Sequence, residues 1–158
     1  MAYTFASCDL DAAPCGSMLA TDLGLQNLGV SVYVFGRGQG YDYFHSHREQ
    51  EEVYLCLDGV ADLILAGDDP NNLQTERLTL HRGDVVRVDP ATLRAVGNSS
   101  SDRAVVLIAG ACPHPYPAGF GDHDVIADVR AKCGEGQTGF ERPLGMTQTS
   151  PPAPAPDC

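Results

Sequence analysis

Two histidines and a glutamate stand close together in the segment HSHREQEE, residues 45–52. His45 and His47 are two positions apart, Glu52 follows five positions after His47, and the whole chain of 158 residues has five histidines. Side chains two positions apart in a β-strand lie on the same face of a sheet, so both imidazoles would point to one side. Two imidazoles and one carboxylate form a ligand set suited to Fe(II), Mn(II), Ni(II) or Zn(II). The alternative is a polar loop that contains two histidines by chance.

A second acidic residue, Glu51, directly precedes Glu52. Adjacent residues of a strand face opposite sides of the sheet, so only one of the two carboxylates can point inward with the imidazoles. We expect the residues after His47 to make a tight turn into a neighbouring antiparallel strand that begins near Glu52. On that register Tyr54 and Cys56 share the face of Glu52, and Tyr54 is either a candidate catalytic residue or an ordinary packing residue.

The elements that would position these side chains are short β-strands. Eight segments between residues 28 and 110 are rich in Val, Leu, Ile, Tyr or Phe and are bounded by Gly, Asp, Asn, Pro or Ser. The predicted strands cover residues 28–35, 41–47, 51–57, 61–66, 76–80, 84–88, 93–96 and 103–110. Asp58-Gly59 predicts a two-residue type I′ hairpin between the third and fourth strands, and residues 98–102 predict a turn that closes another pair. Because no helical pattern interrupts the strands, the predicted fold class is all-β, a single-domain antiparallel sandwich or barrel.

The two ends of the chain have other patterns. Residues 17–25 predict a short helix, and residues 124–134 predict an amphipathic helix because Val125, Val129 and Cys133 recur at every fourth position. The last residues are rich in proline and have almost nothing to bury, which is typical of disorder. We therefore divide the chain into an N-terminal segment (1–26) that packs on the barrel or on a dimer partner, a β-barrel (27–112), a C-terminal extension with one short helix (113–145) and a Pro-rich disordered tail (146–158).

The composition limits the partners and the compartment. The chain has 21 acidic and 10 basic residues, a net charge of −11, so it would repel a nucleic-acid backbone, and we expect no nucleic-acid partner. It has no run of 18 apolar residues, so we expect no membrane partner either. The N-terminus has no basic residue and carries Asp9 and Asp11, which argues against a secretory signal. We therefore expect a cytoplasmic protein with reduced cysteines.

The spacing around the two histidines resembles the first motif of the cupin family, G-x5-H-x-H-x3,4-E-x6-G. His45, His47, Glu52 and Gly59 fit this motif. The leading glycine is one position off, because four residues rather than five separate Gly40 from His45. The six residues between Glu52 and Gly59 favour Glu52 over its neighbour as the ligand.

A second stretch of sequence resembles the second cupin motif, G-x5-P-x-G-x2-H-x3-N. Gly83 and Asn98 match its ends. The three middle positions differ, because Asp89 stands for proline, Ala91 for glycine and Arg94 for histidine. In cupins that bind a metal, this histidine usually completes the site. Arg94 cannot replace it as a ligand, since a guanidinium stays protonated and has no lone pair to donate.

The resemblance covers residues 28–110 and implies a cupin double-stranded β-helix, the jelly-roll barrel, with a pocket at one mouth. It also implies a dimer, and we expect a homodimer joined through sheet edges and the N-terminal segment. The fold does not specify an activity, because it hosts many unrelated chemistries.

Three hypotheses about function follow. In the first, His45, His47 and Glu52 hold a divalent transition metal, which is iron, manganese, nickel or zinc. Arg94 then orients a small polar or anionic substrate for a dioxygenase, isomerase, decarboxylase or lyase reaction. In the second, the barrel binds a small molecule without a metal and without catalysis, and Arg94 pairs with Glu52, with Glu51 or with an acidic ligand. In the third, the protein is a storage or scaffold protein that does no chemistry.

Overall fold

Antiparallel strands make up most of the fold. The computed structural model describes residues 2–11, 15–17, 19–67, 74–111, 129–133 and 137–143, which form nine strands and one short helix. In chain order these elements are β1 (Cys15–Ser17), α1 (Leu19–Leu23), β2 (Leu28–Gly36), β3 (Phe44–His47), β4 (Glu51–Ala66), β5 (Thr75–His81), β6 (Val85–Val88), β7 (Leu93–Gly97), β8 (Arg103–Ala111) and β9 (Val129–Cys133). The predicted all-β class is confirmed, and α1 lies inside the predicted N-terminal helix.

The strands form two sheets that face each other. The order is β1-β2-β8-β4-β6 in the first sheet and β9-β3-β7-β4-β5 in the second, and every neighbouring pair is antiparallel. Residues of β4 before Val60 pair with β8 and β6, whereas those from Val60 onward pair with β5 or β7. Strand β4 therefore belongs to both sheets and joins them into the predicted barrel.

The course of β4 contradicts the predicted hairpin at Asp58-Gly59. The strand continues without a turn from Glu51 to Ala66, and its register against β8 shifts between Cys56 and Asp58. Gly59 has a positive φ of 71°, which a type I′ hairpin also requires. Here that backbone conformation belongs to a β-bulge, where the strand leaves the first sheet and enters the second.

Two predicted strand pairings are also wrong. Strand β3 does not pair with β4, because β7 lies between them in the second sheet. Residues 98–102 do not close a hairpin, because they connect β7 in the second sheet to β8 in the first. Both errors concern segments that cross between sheets, and such crossings depend on long-range packing rather than on a local pattern.

The C-terminal extension forms a strand where the sequence pattern predicts a helix. Strand β9 pairs with β3 in antiparallel register. Positions that recur at every fourth residue also fall on one face of a strand, so the spacing of Val125, Val129 and Cys133 fits both structures. The edge of β3 decides between them, because strand pairing satisfies the backbone hydrogen-bonding groups of both segments. Residues 124–128 and the predicted disordered tail lie outside the described residues.

The main core lies between the two sheets and extends beyond the predicted barrel boundary. Phe35 of β2, Phe44 of β3 and Leu63 of β4 are fully buried there. Phe140 of the C-terminal extension joins the same core, where its ring occupies the space that a Cβ on Gly40 would need. Packing of the barrel therefore includes residues after position 112.

A smaller cluster covers the outer face of the first sheet. Val32, Val34 and Val105 are buried in it, and Cys8 and Leu19 of the N-terminal segment pack against them. Among the described residues, no helix has the length and apolar character needed to cross a membrane.

Candidate metal centre

The residues of the predicted metal site come from both sheets. His45 and His47 lie on β3 in the second sheet, whereas Glu52 lies near the start of β4 in the first sheet. Arg94 on β7 is the antiparallel register partner of His45, so these two side chains point to the same face of the second sheet. The exposed fractions are 6% for His45, 2% for His47, 6% for Glu52 and 0% for Arg94. Because the two sheets face each other, the four side chains meet in the barrel interior.

The distances among the three candidate ligands fit one metal ion. His47 Nε2 lies 3.1 Å from Glu52 Oε1, and His45 Nε2 lies 3.8 Å from Glu52 Oε2. One ligand atom from each residue can be chosen so that all three lie within 4.8 Å of one another. Ligand atoms about 2.1 Å from a tetrahedral or octahedral ion are about 3.0–3.5 Å apart. Glu51 is exposed and pairs with Arg87, so the prediction that Glu52 is the glutamate pointing inward is confirmed.

Both carboxylate oxygens of Glu52 accept hydrogen bonds from buried side chains. Gln50 Nε2 donates to Oε1 at 2.9 Å, and Tyr54 Oη donates to Oε2 at 2.6 Å. Arg94 Nε donates to the same Oε2 at 3.2 Å, and its Nη2 lies 3.1 Å from that oxygen. Hydrogen bonds from the protein to both oxygens therefore hold the carboxylate in place independently of any metal ion.

The guanidinium of Arg94 is occupied mainly by the protein itself. Its Nε and Nη2 contact Glu52. Its Nη1 donates to the carbonyl oxygens of Pro90 at 2.9 Å and of Thr92 at 2.8 Å. This is the Glu52 pairing that the metal-free hypothesis predicts, although it coexists with the convergence of ligands that the metal hypothesis predicts. Neither the substrate-orienting role of Arg94 nor a catalytic role of Tyr54 is tested by these contacts, and both stay predictions.

Burial and neighbouring charges set the protonation states of the site. Desolvation, together with the charge of Arg94, lowers the pKa of His45 to about 4 against the opposing effect of Glu52. His45 is therefore a neutral imidazole at pH 7. Burial raises the pKa of Glu52, but His45 and His47 outweigh burial and hold this pKa well below its usual range. Burial, followed by the charge of Glu52, raises the pKa of Tyr54, so its hydroxyl stays protonated and donates to the carboxylate.

The ring of His45 has a polar atom without a partner. Its Nδ1 is buried and has no hydrogen-bond partner among the described residues, and its Nε2 is 3.8 Å from Glu52 Oε2, longer than a hydrogen bond. Aromatic side chains surround the His45 ring, because its centroid lies 5.6 Å from that of Tyr41 and 5.9 Å from that of Tyr43. A buried polar group left unsatisfied costs about 1–3 kcal/mol, and Nδ1 carries this cost, whereas Nε2 is the ring nitrogen that lies near Glu52.

Some residues that shape the site are absent from the residues predicted from the sequence. Gln50 supports Glu52 directly, and its position two residues before Glu52 could have identified it through strand alternation. Tyr41 and Tyr43 also follow the alternation that leads to His45, so the pattern YDYFH contains the signal for the aromatic contact. Their contact with the imidazole depends on side-chain packing, which the pattern alone does not determine.

The low pKa of His45 predicts how the stability of the metal-free protein depends on pH. Because the unfolded state binds the proton near pH 6.5 and the folded state only near pH 4, this contribution to stability is fully present above pH 6.5 and is lost as the pH falls from 6.5 to 4. We expect the free energy of unfolding to fall by about 3 kcal/mol from this residue alone. Urea denaturation at a series of pH values measures it. His45→Gln should remove this part of the pH dependence, and an unchanged dependence in that variant would contradict the assignment to His45.

Comparisons with known proteins support the fold. Among solved structures, a cupin protein from Bacteroides fragilis is 25% identical, covers 70% of this chain and 85% of that chain, and has a TM-score of 0.58. A putative sugar phosphate isomerase from Acidithiobacillus ferrooxidans is 21% identical, covers 61% of this chain and 58% of that chain, and has a TM-score of 0.50. An oxalate oxidase is 11% identical, covers 70% of this chain and 57% of that chain, and has a TM-score of 0.53. The last two show likeness of fold alone, and this chain spans less than two thirds of each.

A family model extends the agreement to the sequence. No curated protein matches the chain significantly. The model described as "Cupin domain" matches residues 31–110, which is half of the chain and includes both motifs. This match, together with the double-sheet barrel and the buried His-His-Glu cluster, identifies the chain as a member of the cupin family.

Proposed function

We propose that this cupin binds one divalent transition metal through His45, His47 and Glu52 and acts as a metal-dependent enzyme on a small polar or anionic molecule. The observation that carries the proposal is the convergence of three buried potential ligands within 4.8 Å. The donor set also fits, because two imidazoles and a carboxylate suit iron, manganese, nickel or zinc.

The protein residues would hold the metal and prepare its surroundings. A bound divalent ion would supply Lewis-acid chemistry at the positions that its three protein ligands leave open. Arg94, Tyr54 and Gln50 keep the Glu52 carboxylate in one orientation through hydrogen bonds to both of its oxygens. Such support orients a ligand before the metal arrives and is a common feature of metal sites. The expected reaction is that of a dioxygenase, isomerase, decarboxylase or lyase.

Elemental analysis of protein purified without added metal tests the proposal. We expect about one equivalent of iron, manganese, nickel or zinc per chain, and we expect a His45→Ala/His47→Ala double variant to lose it, because one carboxylate alone is a weak ligand set. His81→Ala is the matched control, since it removes an exposed histidine outside the cluster. Metal-free wild-type protein that takes up no metal on dialysis, or a double variant that retains its metal, would contradict the proposal.

A specific contact favours a second candidate function, a metal-free module that binds a small molecule. Arg94 pairs with Glu52 at 3.1 Å, so the carboxylate already has a cationic partner. Under this alternative, chelation would leave the melting temperature unchanged, whereas loss of a bound metal would lower it. The homodimer and the cytoplasmic location expected from the sequence stay predictions under both functions.

A further inference from the structure

The charges of the candidate metal centre nearly cancel before a metal binds. Glu52 supplies the one carboxylate of the cluster found among the described residues, and Arg94 pairs with it at 3.1 Å. A guanidinium stays protonated in proteins, and its partner carboxylate is ionised beside it. Both residues are more than nine-tenths buried. Arg94 therefore neutralises the carboxylate that would otherwise offset the charge of a metal.

A divalent ion at this centre would keep its full charge. Histidine binds a metal as a neutral imidazole, so His45 and His47 add no negative charge. The sum over the ion, Glu52 and Arg94 is then about +2, against about +1 for the same ligands with a neutral residue at position 94. Charge interactions are strong in a buried site, because the surroundings screen them less than water does. A negatively charged exogenous ligand is the simplest way to compensate this excess.

Arg94 would favour an anion through its charge rather than by contact. Its Nε and Nη1 donate to Glu52, Pro90 and Thr92. Its Nη2 lies 3.1 Å from Glu52 Oε2 and is buried without a hydrogen-bond partner among the described residues. The edge formed by Nε and Nη2, which an arginine uses for bidentate binding of a carboxylate, therefore faces Glu52.

We propose that the metal-loaded site binds a small anion directly on the metal, and that Arg94 creates this preference electrostatically by neutralising Glu52. The inference rests on the proposed metal function and narrows its substrate class from polar or anionic to anionic. It also changes the expected role of Arg94 from clamping the substrate to positioning Glu52 and setting the charge of the site.

Acetate and acetamide make a suitable pair of probes, because they have nearly the same shape and differ in charge. Cobalt(II) is loaded into the metal-free protein, and each probe is titrated while the visible absorption of the metal is followed. We expect acetate to bind at least about tenfold more tightly than acetamide to the wild-type protein. Arg94→Met should reduce that preference by about tenfold, because it removes one positive charge close to the bound anion.

Two further variants separate charge from structure. Arg94→Lys retains the charge without the planar fork, so it should retain most of the preference for acetate. Arg87→Met removes an equal charge from an exposed ion pair with Glu51 and should leave the preference unchanged. If Arg94→Met does not fold, equal affinity of the wild-type protein for the two probes, or loss of the preference in Arg94→Lys, would still overturn the proposal.

The outcomes distinguish this inference from the function on which it rests. A protein that takes up no cobalt would contradict the proposed metal function, and the inference with it. Cobalt uptake with equal affinity for acetate and acetamide would overturn the anion preference alone. A full preference for acetate in Arg94→Met would overturn the role of Arg94, as would loss of the preference in Arg94→Lys.

Discussion

Replacing Arg94 with methionine is expected to destabilise the metal-free protein by about 3–5 kcal/mol, because it leaves the buried Glu52 carboxylate without its cationic partner. The contact is strongly shielded from water, since Arg94 is fully buried and Glu52 nearly so. Methionine has a similar length and fills much of the same space, so lost volume contributes little to the effect. Urea denaturation of the chelated protein measures the change in the free energy of unfolding.

Two further variants test whether the effect comes from the uncompensated charge. In Arg94→Met/Glu52→Gln both members of the ion pair lose their charge, and we expect most of the stability to return. Arg87→Met removes an arginine whose ion pair with Glu51 is exposed, so it should change the stability by about 1 kcal/mol or less. A small effect of Arg94→Met, or a double variant no more stable than Arg94→Met alone, would contradict the assigned role of the pair.

Replacing Gly59 with alanine is expected to destabilise the protein by about 3 kcal/mol or more, because the new methyl group meets the backbone of a neighbouring strand. A Cβ at this position would lie 1.9 Å from the carbonyl oxygen of Arg103. That oxygen cannot move freely, since Gly59 pairs with Ala104 of β8. The positive φ of 71° adds a further cost for any residue with a side chain. Chemical denaturation of the purified variant measures the loss.

Gly83→Ala is the matched control for the clash. Gly83 also has a positive φ, 93°, but a Cβ there would have no atom within 4 Å. We therefore expect a loss of about 1 kcal/mol from backbone strain alone. The difference between the two variants reports the steric contribution at the bulge of β4. Equal losses would mean that the bulge relaxes around the methyl group and that this close approach is not important for stability.

Much of the site follows from alternation along strands, which is a local property. The alternating pattern predicts that His45 and His47 share a face and that Tyr54 and Cys56 follow Glu52 inward, and the burial of all five side chains agrees with it. The same alternation extends back to Gln50, which the prediction omits. The reason is that glutamine at the end of a polar segment gives no sign of its hydrogen-bond partner.

The errors arise where one local signal fits two structures. Asp58-Gly59 predicts a hairpin because glycine accepts a positive φ, yet a bulge in a continuous strand uses the same conformation. The apolar positions before Cys133 fit a helix and also a strand, and pairing with β3 selects the strand. In both cases one local pattern is compatible with two structures, so contacts with distant parts of the chain select between them.

The all-β class, the three candidate ligands and the inward face of Glu52 are all predicted from the amino-acid sequence, because hydrophobic alternation and motif spacing are properties of short segments. Three features are visible only in the folded barrel: the histidines and Glu52 lie on opposite sheets, β4 crosses between those sheets, and Arg94 pairs with Glu52. These features depend on strand pairing between residues far apart in the chain. The free energy of such pairing comes from burial and hydrogen bonds that exist only when the barrel is closed.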